Sequence, residues 1–154
     1  MKIFTSLIFV FLFSASASSS QENFDSQKFA ENYFEAWAAT QSPDASKDDI
    51  ERYLSFLKDD VGHQHLPYDP DASRDPEGKE KMREGMQYYL GAHTEYKANL
   101  KEAVPGYGVV VIKYDTYSKG KHPQTGQIIE QTFDTVEVLE LEDRKVSVIR
   151  KYSD

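Results

Sequence analysis

Apolar positions fall at helical spacing near the start of the chain and at alternating spacing over its second half. Phe29, Tyr33 and Trp37 are four residues apart, and Ala30 and Phe34 widen the stripe, which predicts an amphipathic helix over 24–40. The run Gln41-Ser42-Pro43-Asp44 ends it. Ser46 followed by Asp49 has the form of a capping box with Asp in the Glu place. Ile50, Tyr53, Leu54 and Leu57 then predict a second helix, closed by Asp59-Asp60, and Val61 to Leu66 reads as a short strand. A Pro- and Asp-rich loop over 67–78 leads to a third helix with Met82, Met86, Tyr89 and His93 on one stripe. After His93 the period becomes two. Strands are predicted at Tyr96 to Ala103, ended by Pro105-Gly106, then at Tyr107 to Tyr117, Ile128 to Leu141 and Lys145 to Tyr152. Their connections are the long segment 119–127 and a tight turn at Glu142-Asp143-Arg144. Helices followed by an antiparallel meander make an α+β class.

The first residues stand outside this pattern. Met1 and Lys2 make a positive start, Ile3 to Phe13 is almost wholly apolar, and Ala15-Ser16-Ala17 fits the small-x-small cleavage rule. This predicts a signal peptide removed over residues 1–17 and a secreted or periplasmic protein. The competing reading, a membrane anchor, meets an apolar run of about 11 residues where a span needs roughly 20. No membrane partner is expected after cleavage.

With 154 residues the chain holds one domain, set here at 24–154. Lys and Arg number 18 against 26 Asp and Glu, a net charge of −8, so clustered basic charge for nucleic acid is not on offer. Cysteine is absent, which excludes disulfide scaffolds, thiol nucleophiles and Cys-ligated metals.

Three stretches carry a resemblance. They are Asn32-Tyr33-Phe34-Glu35-Ala36-Trp37, Leu57-Lys58-Asp59-Asp60-Val61, and the ending Val136-Glu137-Val138-Leu139 with Arg144 to Tyr152. Their order and spacing resemble the NTF2-like superfamily, in its SnoaL-like and ketosteroid-isomerase-like branch. The resemblance implies an α+β cone, three N-terminal helices packed on a curved antiparallel sheet around one pocket. It implies a small, largely apolar ligand, acid–base chemistry of isomerase, cyclase or dehydratase type, and no cofactor. The fold also serves domains that only bind or dimerise, so fold alone does not decide function. A homodimer through the outer sheet face belongs to that alternative.

His63 and His65 are the sharpest local signal, because residues i and i+2 of a strand share a face. Val61 has the same parity and points the pair inward. By resemblance, the isomerases' general-base position falls on His65, and an imidazole suits that work near neutral pH. Also by resemblance, Tyr33 stands where those enzymes keep the tyrosine that donates to a developing oxyanion. Their second carboxylic acid falls at about Val136, where this chain departs; Asp134, two residues earlier, is the nearest carboxyl on that face. The catalytic candidates are therefore Tyr33, His65 and Asp134. The ligand-binding candidates are Trp37, His63, Tyr89 and Arg150, with an ion pair of Arg150 to Asp134 as the competing role.

Two metal readings are weaker. His63 and His65 offer two ligands and need a third, His93 or Asp134. Asp69, Asp71, Ser73, Asp75 and Glu80 match calcium-loop spacing, but Arg74 stands in the place of the turn glycine. No metal is expected.

Overall fold

The computed structural model describes residues 24–154; the expected leader over 1–17 lies outside the described residues. Helix α1 spans Ser26–Ala39. The Asp25 carboxylate accepts from Lys28 N at 2.9 Å and so caps its N-terminus. Helix α2, Lys47–Leu54, carries the expected capping box, with both Ser46–Asp49 bonds present.

The second helix is shorter than the spacing suggests. Ser55 turns its hydroxyl back to Arg52 O at 2.6 Å, and Leu57 already belongs to strand β1, Leu57–Leu66. Pairing decides this: Leu57 faces Val146, and Val146 N donates to Phe56 O at 2.9 Å. The predicted short strand at Val61 is thus the second half of a longer one.

Helix α3 spans Gly78–Tyr89 and packs on β1. A Cβ on Gly78 would sit 2.1 Å from Val61 O, so only glycine lets the helix start this close to the strand. The helix stops at Tyr89, and Gly91 follows at φ +74°, in the left-handed region that ends helices. His93, expected on the helix stripe, instead opens β2.

Strands β2 (His93–Gly106), β3 (Val109–Lys121), β4 (Ile128–Glu142) and β5 (Lys145–Ser153) complete one sheet of order β1-β5-β4-β3-β2. Strand β2 runs through Pro105 because it is an edge strand, where a missing N–H can face outward. Asp143 and Arg144 have φ of 51° and 62°, the two-residue primed turn that joins twisted strands. Three pairings are antiparallel, but β1 runs parallel to β5. The expected antiparallel sheet is therefore corrected: the strand expected between α2 and α3 is present, but it is longer and joins the sheet parallel to β5. Register shifts at Leu100/Glu102 and Glu140/Leu141 add the local bend and twist of β-bulges.

The core lies between α1, α2 and the inner sheet face. Tyr33, Ile50, Leu54, Leu57, Val61, Ile112, Tyr114, Leu139 and Ile149 are all buried there.

Candidate functional site

Strand parity builds the site. On β4, Thr135, Glu137 and Leu139 face inward and are buried. Lys151 of β5 pairs directly with Glu137 on one side and with His65 of β1 on the other. A carboxylate, an amine and an imidazole thus lie in one row across three neighbouring strands.

Glu137, 3% exposed, is held by phenols. Tyr114 donates to its Oε1 at 2.7 Å, and Tyr33 reaches Oε2 through a long 3.5 Å bond. The Tyr33 and Tyr53 hydroxyls are 3.0 Å apart. With Tyr33 donating to the carboxylate, the chain runs Tyr53 to Tyr33 to Glu137. Burial pushes Glu137 above the usual carboxylate range, against the pull of Lys151 and the two phenols. Burial also raises Tyr33, Tyr53 and Tyr114, so all three remain proton donors.

Above this cluster opens a cavity of about 290 Å³, lined among others by Trp37, His65, Tyr68, His93, Tyr96 and Lys151. Lys151 Nζ lies 5.0 Å from the Trp37 ring centre and 6.0 Å from that of Tyr114. Burial lowers its pKa, and Glu137 partly offsets this. His93 is stacked on Tyr96 with ring centres 5.4 Å apart. Its Nδ1 is 2.8 Å from Gln41 O; a carbonyl only accepts, so Nδ1 carries the proton and a neutral His93 offers Nε2 as an acceptor. The Tyr96 hydroxyl is buried and has no hydrogen-bond partner. Leaving a buried hydroxyl unpaired costs free energy.

His63 and His65 share the inward face, with ring centres 6.0 Å apart. They open on different spaces. His65 lines the aromatic cavity, whereas His63 lines a neighbouring hollow between β1 and α3 with Met82 and Met86. Burial first, then the charges of His65 and Lys151, depresses His63 to about 4. Burial and Lys151 also lower His65.

The other candidates separate by face. Trp37 lines the cavity, and Tyr33 points inward with its hydroxyl spent inside the phenol cluster. Asp134 does not cross the cavity: it is exposed on the outer face and bonded to Lys101. The reason is parity, since Asp134 alternates with inward Thr135. Arg150 is likewise outward, and its Nε meets Glu140 Oε1 at 2.8 Å rather than Asp134. Tyr89 stands at the end of α3, half exposed, on an adjoining cleft with His122 that shares His93 with the cavity. The calcium-like loop spends its carboxylates on its own backbone: Asp69 on Asp71 N at 3.0 Å, Asp71 on Ser73 N at 2.8 Å, and Asp75 on Glu77 N at 2.9 Å. Among the described residues no group of three or more His, Cys, Asp or Glu gathers as a metal site.

Glu137, Lys151 and Tyr114 were not foreseen as site residues, whereas Tyr96 stands on the pocket side as its aromatic character suggests. A signal existed: Glu137 sits two positions before Leu139, and Lys151 two after Ile149, so both continue core faces. Val136 and Val138 make the other face of β4 equally apolar and hide that parity. A groove of about 550 Å³ beside Lys101, Asp134, Val136 and Tyr152 opens towards the outer face, where Lys101 is paired with Asp134.

No family model and no curated protein sequence matches the chain. Solved structures do. A protein assigned as a SnoaL-like polyketide cyclase from Shewanella putrefaciens CN-32 is similar at TM-score 0.64 and 18% identity, over 84% of this chain and 89% of that one. An NTF2-like protein of unknown function from Exiguobacterium sp. 255-15 matches at TM-score 0.60 and 13% identity, over 82% and 98%. An LEH-like epoxide hydrolase of M. tuberculosis matches at 0.58 and 14%, over 82% and 84%. The chain shares the fold of these SnoaL-like and NTF2-like structures.

Proposed function

We propose that the chain is exported and binds a small, flat, largely apolar molecule carrying an acceptor oxygen. It performs acid–base chemistry on that molecule with its own side chains, in the manner of an isomerase, cyclase or dehydratase. One observation carries the reading: an aromatic cavity walled by Trp37, Tyr68 and Tyr96 also holds His65, His93 and Lys151, and the Tyr96 hydroxyl is buried without a partner. In this reading Tyr96 donates to the ligand oxygen, and a neutral His65 takes the proton. Its lowered pKa keeps it a free base near neutral pH. The neighbours' names, cyclase and epoxide hydrolase among them, support a ligand-binding cone and leave the chemistry open.

Trp37 is the sole tryptophan and stands in the cavity wall, so its fluorescence reports occupancy. A panel of planar carbonyl compounds should contain ligands that quench it saturably. His65→Ala should then lower turnover of any substrate found by about 10²–10⁴, the usual size of general-base loss. A panel that leaves Trp37 unchanged counts against the cavity.

The rival is a binding domain without turnover, and one fact favours it: the Tyr33 hydroxyl is engaged by Tyr53 and Glu137 and is not free for an oxyanion. Saturable binding that His65→Ala leaves intact, with no product formed, would select it. A homodimer through the outer face, where Tyr152 and Val104 are exposed, belongs to either reading and is read by light scattering. Mass spectrometry of protein from its own host, with Ser18 as first residue, tests export.

A further inference from the structure

We propose that Lys151 is a carbonyl-capturing amine: an aldehyde or ketone entering the aromatic cavity forms an imine with Nζ. The proposal rests on the cavity being the binding site and names the ligand class as carbonyl compounds.

Lysines that form imines need three things: a dry setting, freedom from a tight carboxylate partner, and groups that move protons. All three meet at Lys151. Its stem rises from the inner face of β5 between β1 and β4, beneath the rings of Trp37 and Tyr114. Among the described residues it differs from Lys58, Lys79, Lys81, Lys101, Lys113 and Lys119, which each lie within salt-bridge reach of a carboxylate, in having no such bridge, and from Lys28, Lys47, Lys97, Lys121 and Lys145 in being half-buried rather than exposed. Glu137, its cross-strand neighbour, is held back by Tyr114 and Tyr33. Burial favours the neutral amine over the ammonium ion, and the neutral amine is the nucleophile.

The cavity wall also carries Tyr96, the group this proposal assigns to the other end of the carbonyl. Tyr96 OH has no acceptor within the protein. A carbonyl oxygen bonded to it would be polarised, and its carbon opened to attack. The Nζ lone pair forms the C–N bond as the C=O π pair moves to oxygen, giving a carbinolamine. Loss of the C–O bond then releases one water, which takes the carbonyl oxygen and both amine hydrogens, and leaves the neutral imine. Nothing is oxidised or reduced. Glu137, pushed upward by burial, and neutral His65 are the groups able to take and return protons during the exchange.

The test uses benzaldehyde as probe, with cyanoborohydride added to reduce any imine to a stable secondary amine. Peptide mass spectrometry of the described domain at neutral pH should find a single benzyl group, on Lys151, formed about 10-fold faster than on exposed lysines. Lys151→Met and Lys151→Arg should both lose it, with circular dichroism and Trp37 fluorescence showing that the fold persists. If either variant unfolds, competition in the unaltered protein decides: a non-carbonyl analogue, benzyl alcohol, that quenches Trp37 should protect Lys151 and leave the surface lysines reactive. Quenching of Trp37 by benzaldehyde without adduct at Lys151 overturns the imine and leaves the binding reading standing. Labelling spread evenly over the surface lysines overturns it too. Absence of both quenching and adduct removes the cavity reading with it.

Discussion

Strand β4 carries carboxylates on both faces, and the two faces treat them differently. Outside, Asp134 is bonded to Lys101, and Glu140 meets Arg150 at 2.8 Å, where water stabilises every charge. Inside, Glu137 and Lys151 are direct cross-strand partners, yet among the described residues no salt bridge closes between them. Burial lifts the acid and depresses the base, so their proton affinities move toward each other. The outer pairs fix charge; the inner pair makes proton position negotiable. One step along a strand separates an exposed ion pair from a buried acid and an amine whose proton affinities converge.

The strongest way to break this contrast is to remove the inner carboxylate. Glu137→Leu strands the Tyr114 and Tyr33 hydroxyls without their acceptor in a closed core, which should cost about 1–3 kcal/mol. Urea denaturation reads it. Glu137→Gln keeps an acceptor oxygen and should recover part of the loss. Glu140→Leu should cost less than Glu137→Leu, because its partner Arg150 stays in contact with water. Equal losses at 137 and 140 would erase the distinction between faces.

That distinction marks the limit of what the chain discloses by pattern. The α1 stripe, the Ser46–Asp49 box and the alternating strands were legible, because each depends on neighbours in sequence. The end of α2 was not: Leu57 satisfies a helical spacing and is taken by β5, a partner nearly ninety positions away. His63 and His65 were placed on the right face by parity with Val61, but their separation into two hollows depends on where α3 lands. For Asp134 and Glu137 the deciding fact was which parity of β4 is inward. Val136 and Val138 on one face and Leu139 on the other gave no preference, so the carboxylate on the outer face was taken for the inner one. The stacking of His93 on Tyr96 needed a helix stop at Gly91 that the stripe through His93 concealed.

A subtler test concerns the histidine that lies just beside the cavity. His63 falls from an ordinary value of 6.5 to about 4 in the folded chain. A depressed folded value means the unfolded state binds the proton first. Its contribution is therefore fully present above pH 6.5 and is lost as pH falls through about 4. Glu137 works in the opposite sense: its raised folded value favours the fold at low pH, and that contribution fades as pH rises. His63→Gln, neutral throughout, isolates the first effect. The stability of the natural chain relative to this variant should decline between pH 6.5 and 4 and be flat above. A difference that ignores pH would mean that His63 is solvated, and that the inner face is wetter than its neighbours suggest.

The smallest expected effect is the most demanding of the comparison. Asp134→Asn removes an outer carboxylate while keeping size and shape, and Lys101 retains Asp115 at 3.4 Å. Exposed pairs of this kind contribute little, because water and salt already screen them. The urea midpoint, the quenching of Trp37 by a cavity ligand and the labelling rate of Lys151 should all stay where they were. Asp134 and Glu137 lie three residues apart on one strand, so distance along the chain cannot account for the difference in outcome. Only the face can. If Asp134→Asn altered ligand binding or Lys151 labelling, the outer groove would be coupled to the cavity through β4, and the division of this sheet into a paired surface and a reactive interior would fail.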